Sequence, residues 1–182
     1  DTGSGPDVRE IGPEHADAVP AIVDAAFGDA LMARAAALTF ARGEARVALV
    51  ARADEQFVGF LQASAVTIPG APGRYLGSVP LAVLPAFQRR GVGSGLVRRA
   101  VRDAGGLGMD ALFVLGDPGF YQRFGFTRSH IGNTVGAGRG FMHLELATGV
   151  LEGVSGTARY ADAFREAGVE AAEYVAKRHR QV

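Results

Sequence analysis

The first part of the chain spaces its apolar residues with the period of a helix. Five of them recur at intervals of three and four residues, on one stripe of an amphipathic helix: Val19, Ile22, Val23, Ala26 and Phe27. Gly12-Pro13-Glu14 predicts the start of this helix, because proline fits the first turn and an acid favours the positive end of the helix dipole. A second, shorter helix is predicted over Ala30–Phe40.

The next segments have the pattern of strands. Two apolar runs, Arg46–Ala53 and Phe57–Ile68, flank three polar residues and predict a β-hairpin. Pro69–Gly73 has the composition of a loop, and Tyr75–Leu84 is predicted as a third strand. Pro80 lies inside that strand. Since proline cannot donate a ladder hydrogen bond, it predicts an interruption or a bulge there.

The second half continues the alternation of helices and strands. A helix carrying Gly93, Leu96 and Val97 on its buried face is predicted to end at Gly105-Gly106. The remaining predicted elements are strands over Ala111–Leu115 and Phe141–Ala147, a helical turn over Phe120–Phe124, and a helical segment over Thr157–His179 that breaks near Gly168. This order predicts an α/β fold with a mixed sheet.

The organisation expected is a single domain. The chain has 182 residues and neither an internal repeat nor a long linker, so one domain is expected over 8–182, with a C-terminal helical extension from about 157. Residues 1–7 lack an apolar secretion core and are expected to form a disordered tail. A cytoplasmic location is expected.

Composition excludes several classes of function. The chain has no cysteine, which excludes thiolate–zinc sites and cysteine nucleophiles. Its one lysine is Lys177, near the end of the chain, so the lysine that a phosphate-binding P-loop needs is missing. Nineteen basic residues balance nineteen acidic ones, which argues against a nucleic-acid partner. No apolar run is long enough to cross a membrane, and no membrane partner is expected.

The stretch from Leu81 to Gly95 runs from a strand through glycines into a helix. Free backbone N–H groups at a helix start form an anion site, and glycines at 91 and 93 would let a ligand approach the main chain. A dinucleotide fingerprint fails, because Leu96 stands where it needs glycine. From these residues alone, an ordinary glycine-containing helix start remains equally open.

Three segments together resemble the GNAT superfamily of acyl-CoA N-acyltransferases. Gln88-Arg89-Arg90-Gly91-Val92-Gly93 resembles its Gln/Arg-x-x-Gly-x-Gly/Ala signature. Leu115-Gly116-Asp117-Pro118 and the run from Phe120 to Phe126 resemble one subgroup of predicted acetyltransferases. The resemblance covers about Val8 to Leu151 and implies a mostly antiparallel central sheet of six to seven strands with flanking helices.

The resemblance also implies site residues for acetyl-CoA. A bulge near Pro80 would leave Leu81, Ala82 and Val83 beside the pantetheine arm, with the Val83 N–H as oxyanion donor. The main-chain N–H groups expected to hold the pyrophosphate belong to Arg89, Arg90, Gly91, Val92, Gly93 and Ser94. Tyr121 matches the tyrosine that many members use as general acid.

Other polar residues stay without an assigned role. Asp117, His143 and Glu145 are candidates for the general base, although Asp117 is also placed to cap the helix that begins at Pro118. His143 and Glu145 make too small a set for a metal, so none is expected. Arg98, Arg99 and Arg102 are explained by a solvated helix face.

The function expected is direct transfer of acetyl from acetyl-CoA to a primary amine of a small molecule or peptide. One alternative is a catalytically weak acyl-CoA-binding module, since no base is assigned. Two more are a nucleotide-dependent oxidoreductase that uses the same glycines and a structural interaction protein. The C-terminal region is a candidate for homodimer contact or for covering the substrate groove.

Overall fold

The computed structural model describes residues 6–136 and 138–171. The strands are β1 (Asp7–Glu10), β2 (Ala45–Ala53), β3 (Gln56–Ile68), β4 (Ala71–Val83), β5 (Ala111–Leu115), β6 (Thr127–Arg128), β7 (Gly132–Asn133), β8 (Phe141–Glu145) and β9 (Thr157–Ala158). The α-helices are α1 (Ala18–Phe27), α2 (Ala30–Ala41), α3 (Val92–Gly106), α4 (Pro118–Tyr121) and α5 (Asp162–Ala167). Short 3-10 turns occupy Pro13–His15, Pro85–Phe87, Gln122–Phe124 and Gly138–Gly140.

A seven-stranded sheet in the order β1-β2-β3-β4-β5-β8-β6 forms the centre of the molecule. Its strands pair antiparallel except for β4 and β5, which run parallel. This confirms the predicted mixed, mostly antiparallel sheet. β7 and β9 form a separate pair.

Two apolar cores cover the two faces of the sheet. One core packs α1, α2 and α5 against one face, the α1/α2 face, where Phe60 and Phe113 are buried. The other packs α3 against the opposite face, the α3 face, where Leu61 and Leu112 are buried. The alternation of side chains along each strand supplies both cores.

Local signals explain where the helices begin. The Asp29 side chain accepts a hydrogen bond of 3.0 Å from the Met32 N–H and starts α2. Asp117 does the same for the short α4, accepting from the Gly119 N–H at 3.0 Å, as predicted. The start predicted at Gly12-Pro13-Glu14 is a 3-10 turn, and α1 follows from Ala18.

Three boundaries differ from the prediction. β1 begins at Asp7, inside the expected tail, and β4 begins at Ala71, so only Pro69-Gly70 forms the turn before it. The helical prediction over 157–179 is wrong at its start, where Thr157–Ala158 pairs with β7. The break near Gly168 is confirmed, since this glycine ends α5 in the left-handed conformation. Residues 172–179, with Lys177, lie outside the described residues.

Among the described residues, no helix combines the length and apolarity that crossing a bilayer requires.

Candidate active site

The central strands β4 and β5 separate at the middle of the sheet. Their parallel pairing covers Tyr75 to Ser78 against Ala111 to Val114 and goes no further. At the same point β4 carries an extra residue against β3, because Leu61 pairs with Leu81 whereas Ala63 pairs with Ser78. Val79 and Pro80 form this bulge, which confirms the interruption predicted from Pro80.

Beyond the bulge, alternate amides of β4 face the gap. The Leu84 N–H donates to the Val58 carbonyl at 2.9 Å, which makes the neighbouring pair of Gly59 and Val83 a non-hydrogen-bonded one. The N–H groups of Val83 and, two residues earlier, Leu81 therefore point away from β3 and into the gap. Ala82 is buried and its amide faces β3, so it does not join Leu81 and Val83 there.

The loop between β4 and α3 turns its backbone into a concave surface. Arg89 and Gly91 have φ of 60° and 85°, and the helix that begins at Val92 has no side-chain cap on its first turn. N–H groups in such a conformation at a helix start converge on one point and favour an anion. The left-handed φ at position 91 explains why a glycine stands there.

Gln88 fastens this loop to the end of β4. Its side-chain Nε2 donates a hydrogen bond of 3.1 Å to the Val83 carbonyl. The bond crosses the base of the loop and fixes the distance between its amides and those of the strand.

A cleft of about 580 Å³ joins the strand, the loop and α4. It is lined by Leu81, Val83, Gln88, Arg89, Gly91, Gly93, Ser94, Leu115, Gly116, Asp117, Phe120, Tyr121 and Arg123. Seven of the ten predicted site residues meet here. The other three do not: Ala82 and Val92 are buried in the cores, and the Arg90 guanidinium stacks 5.6 Å from the Phe87 ring centre.

Tyr121 forms part of the wall opposite the loop. Its ring is held edge-on between Phe120 and Phe126, with centroid distances of 5.0 and 5.6 Å. Burial raises the pKa of the Tyr121 phenol well above its ordinary value, so the group stays protonated at neutral pH. The site therefore holds a fixed, neutral hydrogen-bond donor.

Arg123 adds positive charge to the same wall and was not among the predicted site residues. Its guanidinium lies 4.9 Å from the Phe120 ring centre, and its Nε donates to the Phe120 carbonyl at 3.2 Å. Among the described residues neither Arg123 nor Arg89 forms a salt bridge, so both charges are available to an anion. The position of Arg123 two residues after Tyr121 was the one sequence signal for it.

The other polar candidates lie outside the cleft. Glu145 accepts hydrogen bonds from the Leu151 and Gly149 N–H groups, and these bonds hold the pKa of its carboxyl below the usual value. His143 contacts the Ser129 hydroxyl at 3.1 Å, and burial lowers its pKa. Among the described residues no three His, Asp or Glu side chains are grouped to hold a metal ion.

The arginines of α3 also lie apart from the cleft. Arg99 pairs with Asp103 at 2.9 Å, and with Arg98 and Arg102 it lines a separate shallow recess beside Pro6 and Val8. This agrees with their interpretation as a largely solvated helix face.

A bulged strand that separates from its neighbour beside an uncapped helix start is the arrangement expected from the resemblance to the acyl-CoA N-acyltransferases. Comparison with known proteins agrees. Residues 44–128 match the model of the acetyltransferase (GNAT) domain. An uncharacterized N-acetyltransferase of Escherichia coli K12, YhbS, is 32% identical over 121 residues, which cover 64% of this chain and 72% of YhbS.

Solved structures show the same relationship. The crystal structure of E. coli YhbS in complex with CoA has a TM-score of 0.82 and 28% identity, over 91% of this chain and 94% of YhbS. A GNAT family acetyltransferase from Brucella melitensis in complex with acetyl-CoA has a TM-score of 0.74 and 28% identity, over 87% of this chain and 97% of that one. The chain belongs to the GNAT family of N-acetyltransferases and is an acyltransferase.

Proposed function

We propose that this protein transfers the acetyl group of acetyl-CoA directly to a primary amine of a small molecule or peptide. The observation that carries the proposal is the meeting of three features in one cleft: the gap-facing amides of Leu81 and Val83, the anion-binding loop, and Tyr121. The bound CoA of E. coli YhbS and acetyl-CoA of the B. melitensis enzyme support the choice of donor. The use of acetyl-CoA as the donor also favours a cytoplasmic location.

The donor is held by main-chain groups. The N–H groups of the loop residues that line the cleft, Arg89, Gly91, Gly93 and Ser94, bind the diphosphate at the start of α3. Arg89 and Arg123 supply charge from the two walls. The amides of Leu81 and Val83 pair with the pantetheine arm in the gap. The Val83 N–H then donates to the thioester oxygen as negative charge develops there, a contribution of about 3 kcal/mol.

Transfer proceeds as one displacement. The neutral amine nitrogen attacks the thioester carbonyl carbon, a C–N bond forms, the C–S bond breaks, and the nitrogen gives up one proton to water or a base. The chain has no cysteine to carry the acetyl group in between.

Tyr121 protonates the leaving thiolate. At ordinary values, a phenol of pKa about 10 transfers its proton to a thiolate of conjugate pKa about 8.5 at a cost of roughly 2 kcal/mol. The burial that raises the pKa of Tyr121 also disfavours a buried thiolate, so the transfer exchanges one buried anion for another.

A second candidate is an acyl-CoA-binding module with weak turnover. One observation favours it: among the described residues Asp117 is the one carboxylate that lines the cleft, and its side chain accepts a hydrogen bond from the Gly119 N–H. No base is therefore assigned for the incoming amine, which at pKa about 10.4 is only about 0.04% neutral at pH 7.

Thiol release from acetyl-CoA separates the two candidates. We would give the protein a panel of amines: ethanolamine, glycinamide, putrescine and a tripeptide with a free N-terminus. We expect at least one of them to be acetylated, with free CoA appearing in proportion to the product. Tight binding of acetyl-CoA without product from any acceptor would favour the module.

A further inference from the structure

Three buried side chains on the α1/α2 face carry polar atoms without a hydrogen-bond partner among the described residues. They are both amide atoms of Gln62, the Ser64 hydroxyl and the Tyr160 hydroxyl. The three residues are 0, 1 and 7% exposed. An unpartnered polar group in a core costs stability, so a polar group that hydrogen-bonds these atoms would bind there favourably. We call them the buried polar cluster.

The cluster lies beside the bulge in β4. Gln62 falls between the Leu61–Leu81 and Ala63–Ser78 pairs, directly opposite Val79 and Pro80. Ser64, two residues further on the same face, pairs with Gly77. Tyr160 covers Gly77 so closely that a Cβ there would overlap the tyrosine Cε1. The absence of a side chain at position 77 therefore admits the Tyr160 ring.

The segment after β8 delivers Tyr160 to this position. Arg159 and Thr67 exchange two backbone hydrogen bonds of 2.8 and 3.0 Å, which attach the segment to β3. Tyr160 also packs on Phe164 of α5, with ring centres 5.3 Å apart. This segment lies beyond residues 44–128, the part that matches the family model.

The cluster and the cleft lie on opposite faces of the sheet. Leu81, Val83 and Tyr121 belong to the α3 face. The pairing of β4 with β5 ends at Ser78 and Val114, so beyond that point the sheet is open between its two faces. Burial raises the pKa of Tyr160, and the Tyr121 phenol is a smaller cause of the same shift. When acetyl-CoA fills the cleft on the α3 face, the α1/α2 face is left as the side from which the acceptor amine approaches the thioester.

We propose that Gln62, Ser64 and Tyr160 form the acceptor subsite, where they hydrogen-bond an uncharged hydroxyl or carboxamide group that the acceptor carries near its amine. The inference rests on the proposed function and names its substrate class. Because α1 packs over β3 and β4, the acceptor enters along the gap between β4 and β5.

The chemistry of the cluster selects this class. A primary amide and two hydroxyls offer both donors and acceptors and carry no charge. A carboxylate or a second ammonium group would be buried there without a counter-charge, which is unfavourable. Amino alcohols and amino-acid amides therefore fit, whereas polyamines and purely alkyl amines do not.

The test compares acceptors that differ in one group. We would measure kcat/KM for ethanolamine, glycinamide, propylamine and putrescine at saturating acetyl-CoA, in the wild type, Tyr160→Phe and Gln62→Leu. Tyr75→Phe is the matched control, since it also removes a hydroxyl from a buried tyrosine on the α1/α2 face. Ser64→Ala replaces either larger change if that variant does not fold.

We expect the wild type and the control to prefer ethanolamine and glycinamide over propylamine by at least about tenfold. Tyr160→Phe and Gln62→Leu should bring this ratio close to one by raising KM for the polar amines, with the Kd for acetyl-CoA unchanged. An unchanged ratio in the variants, or no preference in the wild type, overturns the subsite and leaves the proposed function standing. Acetyl-CoA binding without acetylation of any amine overturns the proposed function and this inference with it.

Discussion

At the scale of single residues, the proposed chemistry depends on how burial and position affect two tyrosine side chains. Tyr121 and Tyr160 are both buried tyrosines, and both have raised pKa values. Tyr121 lines the cleft from which we propose that the thiol leaves, whereas Tyr160 lies on the other face of the sheet. The same side chain therefore has two proposed uses, protonation of the donor and recognition of the acceptor.

Removal of the Tyr121 hydroxyl tests the first use. We expect Tyr121→Phe to lower kcat about 100-fold, because the thiolate then leaves without a positioned acid. The Kd for acetyl-CoA from calorimetry should stay close to that of the wild type, and Tyr75→Phe should keep full activity. Full activity in Tyr121→Phe would remove the general-acid role.

At the scale of elements, the site depends on how the loop before α3 is joined to β4. The bond from Gln88 to the Val83 carbonyl is the one side-chain hydrogen bond seen between them among the described residues. It sets the spacing between the groups proposed for the diphosphate and those proposed for the pantetheine arm.

Breaking this bond should weaken donor binding without unfolding the protein. We expect Gln88→Leu to raise the Kd for acetyl-CoA about two- to tenfold, the range of one lost hydrogen bond. Gln56→Leu makes the same change at an exposed position at the start of β3 and should leave the Kd unchanged. Equal Kd values for both variants would contradict the role of Gln88.

The elements also show what the sequence can and cannot predict. Pro80 predicts the bulge and Gly168 predicts a helix end, because both act through local backbone chemistry. The strand at Thr157–Ala158 is set by its pairing with Gly132–Asn133, a contact with no local signal. For the same reason the contact of Tyr160 with Gly77 could not be predicted.

The sequence predicts the cleft residues that belong to a known motif. It does not predict those whose position depends on strand pairing or side-chain packing. The signature supplied the loop, and the tyrosine segment supplied Tyr121. The direction in which each amide of β4 points follows from its pairing with β3 and cannot be read from the sequence. The sequence therefore places Ala82 with Leu81 and Val83, although the Ala82 amide faces β3. Arg123 was missed because its stacking on Phe120 is a consequence of the turn after α4.

At the scale of the whole molecule, two cores on opposite faces stabilise one sheet that is open at its centre. Both proposed reactants meet where β4 and β5 separate, so the packing of α1 and α2 on one side and α3 on the other fixes the geometry of transfer. The buried tyrosines are thus part of the packed cores as well as of the proposed reaction.

These tyrosines predict a pH dependence of stability. An unfolded phenol ionises near pH 10, whereas burial keeps Tyr121 and Tyr160 protonated in the folded state. Folded pKa values above the unfolded one mean that their contribution is complete below about pH 10 and is lost as the pH rises further. Urea unfolding from pH 8 to 11 should show this decline, and Tyr160→Phe should make it shallower. An equal decline in that variant would contradict the buried, neutral state of Tyr160.

Calorimetric titration with acetyl-CoA tests the central claim, that main-chain amides between positions 81 and 94 grip the donor. Gly91→Glu places a negative charge in the loop, in space that no other protein atom occupies within 4 Å. Gly70→Glu is the control, because Gly70 lies in the turn before β4 with a φ of 84° and also has no protein atom within 4 Å of a Cβ. We predict one-to-one binding by the wild type and the control, and no binding by Gly91→Glu. Equal affinity in all three proteins, or heat from NADH and none from acetyl-CoA, would contradict it.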